Sequence, residues 1–238
     1  MEKNWITRET ENYIFHYNKE SVAERNIENI INTQESCNKY ITKVLGTKLD
    51  KKIKYYLCAS REEIGELYGD NDPCNGFARM PNEIYAVYNE NIKCIGCHED
   101  AHIISYTIAR PKQAFIREGL AMYFDKMWWG IWNEAWVKYY IDNNKLPDIC
   151  HMMDDNNFFQ YSCEFTYPLA GAFIQYLIDT YGIERFKKLY KNLEEDAFGP
   201  FNKFYGINLG DIEKEFIDYI SHMKINEKVI EAIEKELM

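Results

Sequence analysis

Residues 98–124 read HEDAHIISYTIARPKQAFIREGLAMYF, and this stretch decides the fold class. It consists of two helix-like segments joined at Arg110-Pro111, where proline disfavours a helical conformation at the residue before it. Residues before the stretch show the alternation typical of strands, whereas residues after it repeat apolar side chains at helical spacing. The sequence therefore predicts a single α+β domain, with a small, mostly antiparallel sheet in about residues 1–90 and a helical body in about residues 91–238.

The strands and helices can be placed along the chain. Strands are predicted at YIFHYN (13–18), at IKYYLCA (53–59) and on both sides of Met80-Pro81, where EIYAVYN (83–89) is the stronger candidate. Helices are predicted at about 21–45, 61–69, 92–109, 113–142, 166–180, 183–194, 211–223 and 226–237. The last of these helices carries a narrow apolar stripe, which is typical of a docking face.

His98, Glu99 and His102 form an HExxH motif on the predicted 92–109 helix. At positions i and i+4 the two imidazoles lie about 40° apart around the helix axis, so both can bind one ion. Glu99 lies beside them, where its carboxylate can take a proton from the attacking water. Apolar residues occupy a separate arc of this helix, which comprises Cys94, Cys97, Ala101, Ile104 and Ile108. The motif favours a Zn²⁺ site, with His98 and His102 as ligands.

A catalytic zinc site needs a third protein ligand and an open position. If the chain reverses at Arg110-Pro111, a second helix that begins near Gln113 returns Glu118 to within a turn of the level of His102, at about 1.5 Å per residue. Glu118 lies among apolar neighbours, which disfavours a role as a solvated surface charge. Glu118 is therefore predicted as the third ligand.

HEDAH followed by REGLAMYF (117–124) resembles the HExxH and E-G-L-A signatures of gluzincin metallopeptidases, especially the small peptidase MA-like domains of bacteria. YPLAGAFIQYLIDTYGIERFKKLY (167–190) is also similar to those domains, and the resemblance covers about half the chain. The amino-terminal sheet matches more loosely, with EIYAVYN where the family has a strand edging the substrate cleft. The resemblance implies a zincin-like fold, a peptide or protein substrate and a general base at Glu99. The zinc ligands that it implies are His98, His102 and Glu118.

Two further positions bear on the activity that the resemblance implies. Tyr167 matches the tyrosine that opens the Y-x-K-G signature of aminopeptidase N-like enzymes, where it stabilises the oxyanion, although Leu169 replaces the lysine. Aminopeptidases of this clan carry G-x-M-x-N before HExxH, and the nearest counterpart, GFARM (76–80), lacks that pattern. Tyr167 is therefore a predicted catalytic residue, and an endopeptidase or oligopeptidase is favoured over a typical aminopeptidase.

Alternatives to the zinc peptidase remain at this point. CIGCH (94–98) matches the attachment motif of c-type haem. That interpretation leaves Glu99, His102 and Glu118 without a role. A catalytically inactive zincin-like binding module is a further alternative. A group of tryptophans lines a substrate pocket or, as is more usual at helical spacing, belongs to the core; the group comprises Trp128, Trp129, Trp132 and Trp136.

The composition limits the classes of function. A net charge of −10 disfavours nucleic-acid binding, because neutralising phosphates requires clustered Lys and Arg. No window is apolar enough for a membrane span and the first 20 residues lack the apolar core of a signal peptide, so we expect a cytosolic protein without a membrane partner. The 7 cysteines are an odd number, which disfavours a disulfide framework.

Overall fold

The computed structural model describes residues 5–69, 74–193 and 197–238, and the chain falls into two compact units, Met1–Ile108 and Ala109–Met238. The first unit contains a five-stranded sheet and the second is mainly helical, which confirms the α+β class with the sheet preceding the helical body. That the chain is one domain stays a prediction. Among the described residues, no helix combines the length and apolarity needed to cross a membrane.

The first unit contains the strands and helices that precede and include the HExxH motif. Its strands are β1 (Ile6–Glu9), β2 (Tyr13–Tyr17), β3 (Ile53–Cys58), β4 (Gly76–Arg79) and β5 (Glu83–Val87). Its helices are α1 (Val22–Arg25), α2 (Ile27–Leu45), α3 (Arg61–Tyr68) and α4 (His98–Ser105). The structure confirms every strand predicted from the sequence, and among the described strands of the first unit β1 was not predicted. The predicted 21–45 helix is also confirmed, with an interruption at Asn26 and a left-handed Gly46 at its end.

The sheet is mixed, so the prediction of a mostly antiparallel sheet was wrong. Its strand order is β1-β2-β3-β5-β4, and the β1–β2 and β4–β5 pairs are antiparallel. The β2–β3 and β3–β5 pairs are parallel. Parallel neighbours need a crossover connection of about a dozen residues or more. Helices α1 and α2 form one such crossover, and α3 with β4 forms the other.

One face of the sheet forms the core that supports α4. Tyr13, Phe15 and Tyr17 alternate with half-buried residues along β2, and all three are buried. They pack in one cluster with Ile30 of α2 and Ile103 of α4, both of which are fully buried. The helix that carries the HExxH motif is therefore held against the same apolar face as α2.

The second unit is a set of packed helices with one small hairpin. Its helices are α5 (Ala114–Asp125), α6 (Asn133–Asp142), α7 (Ile149–Met152), α8 (Asp155–Phe158), α9 (Cys163–Tyr181), α10 (Ile183–Asn192), α11 (Gly199–Tyr205), α12 (Leu209–Ser221) and α13 (Glu227–Glu236). Its strands are β6 (Met127–Trp128) and β7 (Ile131–Trp132). Helices α9, α10, α12 and α13 confirm the four predicted downstream helices, whereas the short α7, α8 and α11 were not predicted. Ile233 of α13 is buried against Trp136, which confirms a docking face there.

The predicted helix at 113–142 was wrong, because the hairpin interrupts it between α5 and α6. Lys126, Trp129 and Gly130 all have positive φ angles, of 69°, 52° and 75°, which a helix cannot contain. The tryptophans therefore do not follow one helical face. Trp136 is fully buried, whereas Trp129 and Trp132 at the hairpin are 54% and 55% exposed.

Candidate metal centre

Helix α4 begins at the first histidine of the motif, so the predicted helix at 92–109 was too long at both ends. Before it, the chain turns back along the sheet, where the Cys94 amide donates to the carbonyl of Val87 at 2.9 Å. Cys94 and Ile95 then pack against the sheet core, and Gly96 has a φ of 147°. Cys94 is therefore not on the apolar arc of a helix, because this backbone is already paired with β5.

The two histidines of the motif lie side by side on α4. Their ring centroids are 5.0 Å apart with the planes at 81°. His98 is half-buried, and His102 is only 8% exposed. The Tyr106 hydroxyl lies 3.5 Å from Nδ1 of His102, one turn further along the chain. The i, i+4 spacing thus places both imidazoles on one side of α4, as the sequence predicts.

Glu99 lies beside the start of β4. A Cβ atom added to Gly76 would lie 3.5 Å from Oε1 of Glu99 and 3.0 Å from Sγ of Cys94. Burial and the nearby Glu99 carboxylate raise the pKa of the Cys74 thiol. In the described sheet β4 is an edge strand and β5 lies between β3 and β4. EIYAVYN therefore forms an inner strand of the sheet, and GFAR forms an edge strand next to it. That EIYAVYN edges a substrate cleft stays a prediction.

Asp100 is a buried residue of the motif that the sequence analysis missed. It is fully buried, and its Oδ2 accepts hydrogen bonds from the Tyr13 hydroxyl and from Nε2 of Gln34, both at 2.8 Å. Burial, followed by the charge of Asp100 and the hydrogen bond to it, raises the pKa of Tyr13 well above its usual value. The helical spacing of the sequence could have identified Asp100 as buried, because on a helix it faces away from the two histidines and therefore towards the interior.

Helix α5 presents Glu118 from an otherwise buried segment. The amide of Ala114 donates to Oδ1 of Asp155 at 2.5 Å, and Arg117 lies 3.7 Å from the same carboxylate. These contacts fix the start of α5 next to Gln113, where the sequence predicts it. Glu118 is half-buried, whereas Gly119 and the residues after it up to Phe124 are buried.

Gly119 lets α5 approach α9 closely. A Cβ atom at Gly119 would lie 2.6 Å from Cγ1 of Ile174 and 2.8 Å from the carbonyl oxygen of Ala170, both shorter than real contacts allow. A side chain here would force the backbone of α5 away from α9. Gly119 therefore permits the close contact with α9 that fixes the position of α5, the helix that carries Glu118.

We expect Gly119→Ala to lower the free energy of unfolding by about 1–3 kcal/mol, because overpacking a closely packed contact costs that much. Urea unfolding measures the effect. Gly210→Ala is the matched control, since its Cβ would meet only Asn208 Oδ1 at 3.5 Å and Cys150 Sγ at 3.9 Å, and alanine favours a helix. Equal stability of the two variants would contradict the close approach of α5 and α9.

Tyr167 lies in the second turn of α9, not at the start of the helix where the sequence analysis placed it. Its ring centroid is 5.2 Å from that of Trp128 and 5.9 Å from that of Phe158, and its side chain is half-buried. Pro168 follows and cannot donate to the carbonyl of Glu164. The Tyr140 hydroxyl donates to that carbonyl at 2.8 Å instead, which stabilises the helix around Tyr167. A catalytic role for Tyr167 stays a prediction.

His98, His102 and Glu118 form a group that can hold a metal ion. Each offers one ligand atom, and these atoms all lie within 4.8 Å of one another. Ligands at about 2.1 Å from a tetrahedral ion lie about 3.4 Å apart, and the separations here do not exceed 4.8 Å, so the three side chains can converge on one ion. Two imidazoles and one carboxylate are a donor set that suits Zn²⁺ and leaves a fourth position open. The residues therefore fit the predicted metal.

A second group of possible ligands, Asp148, Cys150 and Glu213, has a structural explanation. The buried Glu213 carboxylate accepts hydrogen bonds from the amides of Ile149 at 2.7 Å and Cys150 at 3.3 Å. Asp148 accepts one from the amide of His151 at 2.7 Å. Burial and the Glu213 carboxylate raise the pKa of the Cys150 thiol to about 12, which favours the protonated thiol over the thiolate that binds metals. These acids cap α7.

Comparisons with known proteins do not identify a relative. No protein-family model matches the chain, and no curated protein matches it.

Proposed function

We propose that this protein is a zinc-dependent metallohydrolase that cleaves peptide bonds, with His98, His102 and Glu118 as the zinc ligands. The observation that carries the proposal is that one ligand atom from each of these residues lies within 4.8 Å of the others. Glu99 adds a carboxylate next to the first histidine, so the group has both the ligands and the base that hydrolysis needs.

The mechanism assigns a separate task to each residue. His98, His102 and Glu118 would hold the zinc ion, which would supply Lewis acidity for polarising a carbonyl group and lowering the pKa of water. Glu99 accepts a proton from the water that attacks the carbonyl carbon and donates it to the leaving nitrogen. Tyr167 donates its phenolic hydrogen to the oxyanion that develops on the carbonyl oxygen.

A peptide substrate is supported by the position of Glu99 beside an edge strand. An extended peptide binds to an exposed edge through main-chain hydrogen bonds. Gly76 at the start of β4 has no side chain, and it lies next to the Glu99 carboxylate. A peptide paired along β4 would therefore run past the proposed general base, and an internal bond of the peptide could be cleaved. This favours an endopeptidase or oligopeptidase.

Metal analysis of the purified protein tests the zinc site. We expect about one Zn²⁺ per chain, because three ligands and one open position make a single catalytic site. His98→Ala, His102→Ala and Glu118→Ala should each weaken zinc binding by more than about 100-fold, since even outer partners of zinc ligands are worth about 10–100-fold. His151→Ala and His222→Ala are the controls, because both histidines are exposed and lie outside the group.

Three results would contradict the proposal. Unchanged zinc content in His98→Ala and His102→Ala would remove the ligand assignment. A Soret absorption band in place of zinc would favour attachment of haem at CIGCH. Zinc-loaded protein that cleaves no member of a peptide library would favour the inactive binding module over the peptidase.

A further inference from the structure

A buried hydrogen-bond network ties α4 to two other elements of the first unit. Gln34 of α2 donates from Nε2 to Oδ2 of Asp100 at 2.8 Å and to the carbonyl of Gly96 at 3.0 Å. Oε1 of the same side chain accepts from the amide of Gly96 at 2.9 Å. The Tyr13 hydroxyl of β2 lies 2.8 Å from Oδ2 of Asp100 and 2.8 Å from the carbonyl oxygen of Gln34.

The network lies on the side of α4 opposite to the two histidines. Asp100 is two residues after His98 and two residues before His102. At about 100° per residue it lies about 180° from the bisector of the two imidazoles. Holding Asp100 therefore sets the rotation of α4 about its axis, and Gln34 fixes the start of the helix through both polar groups of Gly96.

We propose that Asp100 and Gln34 are positioning residues that set the direction of the His98 and His102 imidazoles and thereby the affinity for zinc. This inference rests on the proposed function, because it assumes that the two histidines bind zinc. Side chains extend about 5–6 Å from a helix axis, so a rotation of about 10° moves an imidazole by about 1 Å. A displacement of that size is comparable to the tolerance of a coordinated site.

The composition of the network favours positioning over stabilisation alone. Asp100, Gln34 and Tyr13 are each 0% exposed, and burying polar groups in a core costs free energy that hydrogen bonds only offset. Apolar side chains of similar volume would hold α4 against the sheet at least as firmly. Apolar contacts do not fix the angle between the groups that touch, whereas hydrogen bonds do.

The test compares zinc affinity in Asp100→Leu, Asp100→Asn and Gln34→Met with that of the wild type. Leucine and methionine keep approximate volume and remove the hydrogen bonds, whereas asparagine keeps an oxygen that accepts from Tyr13 and Gln34. We expect Asp100→Leu and Gln34→Met to weaken zinc binding by about 10–100-fold, the usual effect of losing an outer partner of a zinc site. Asp100→Asn should retain most of the affinity.

Glu35→Ala is the matched control, because Glu35 is the next residue of α2 and also makes several hydrogen bonds. It accepts from the Thr10 hydroxyl at 2.6 Å and from the amide and side chain of Asn12 at 3.0 and 2.6 Å. These bonds tie α2 to the β1–β2 turn and do not involve α4. Glu35→Ala should lower the thermal midpoint while leaving zinc affinity unchanged.

The visible spectrum of the Co²⁺-substituted protein gives a second measurement that stability alone would not change. Its ligand-field bands should shift in Asp100→Leu and Gln34→Met, and match the wild type in Glu35→Ala. Unchanged affinity and spectra in both network variants would overturn the positioning role while leaving the zinc site intact. If Asp100→Leu does not fold, Gln34→Met and Tyr13→Phe decide, and zinc affinities equal to that of the wild type in both would overturn it. A wild-type protein that binds no zinc would overturn both proposals.

Discussion

Glu99→Gln is expected to keep its zinc and to lose peptide hydrolysis by about 10²–10⁴-fold, the range over which a positioned general base contributes. Glutamine has nearly the shape of glutamate but cannot accept the proton from the attacking water. Glu99 is not one of the three residues whose ligand atoms group together, so metal content should not change. Metal analysis and kcat/KM on one peptide substrate measure the two effects on the same sample.

Glu66→Gln is the control for the Glu99 substitution, because Glu66 is an exposed glutamate on α3. It should show wild-type hydrolysis and zinc content. Hydrolysis near the wild-type rate in Glu99→Gln would mean that another group acts as the base. Loss of zinc in Glu99→Gln would instead mean that Glu99 contributes to binding the ion, and the division of tasks among these residues would be wrong.

Local patterns predicted strands β2 to β5 and the helical position of the HExxH motif. Tyr13, Phe15 and Tyr17 show alternation because one face of β2 is buried and the other is only partly covered. His98 and His102 are side by side because the i, i+4 spacing depends only on helix geometry. The start of α5 at Ala114 follows similarly from the proline three residues earlier. Such features depend on neighbours in sequence.

Features that depend on distant partners could not be predicted from local patterns. Residues 92–97 resemble a helix in composition, but Cys94 pairs with Val87 of β5 and Gly96 is held by Gln34. The two parallel pairings of the sheet depend on how the crossovers pack, which the strand sequences do not specify. The hairpin within 113–142 was hidden because Lys126 and Trp129 adopt positive φ, a conformation uncommon for such residues.

Because the predicted 113–142 helix was wrong, the core environment favoured for Trp129 and Trp132 was wrong too. On a continuous helix they would share a core with Trp136, but the hairpin leaves both more than half exposed. Trp128 instead contacts the ring of Tyr167 at 5.2 Å. The sequence therefore identified Trp128 as an aromatic residue of this region, but its contact with Tyr167 could be seen only in the fold.

Tyr167→Phe is expected to lower kcat by about 10²–10³-fold, which is the usual cost of removing one oxyanion donor. The ring remains, so its contacts with Trp128 and Phe158 should persist and the variant should stay folded. Zinc content should not change, because Tyr167 is not in the group of ligands. A donor that acts in the transition state lowers kcat and kcat/KM together, so steady-state kinetics identify it.

Tyr140→Phe is the matched control for Tyr167→Phe. Tyr140 lies on α6, and its hydroxyl has a structural partner on α9, the helix that carries Tyr167. It donates to the carbonyl of Glu164, which Pro168 leaves without a helical donor. Removing that hydroxyl should lower the free energy of unfolding by about 1–3 kcal/mol, since a carbonyl loses its partner, with kcat unchanged. If Tyr167→Phe behaves like Tyr140→Phe, with lower stability and full kcat, then Tyr167 is a packing residue. Its removal from the mechanism would leave the ligands His98, His102 and Glu118 and the base Glu99 unaffected.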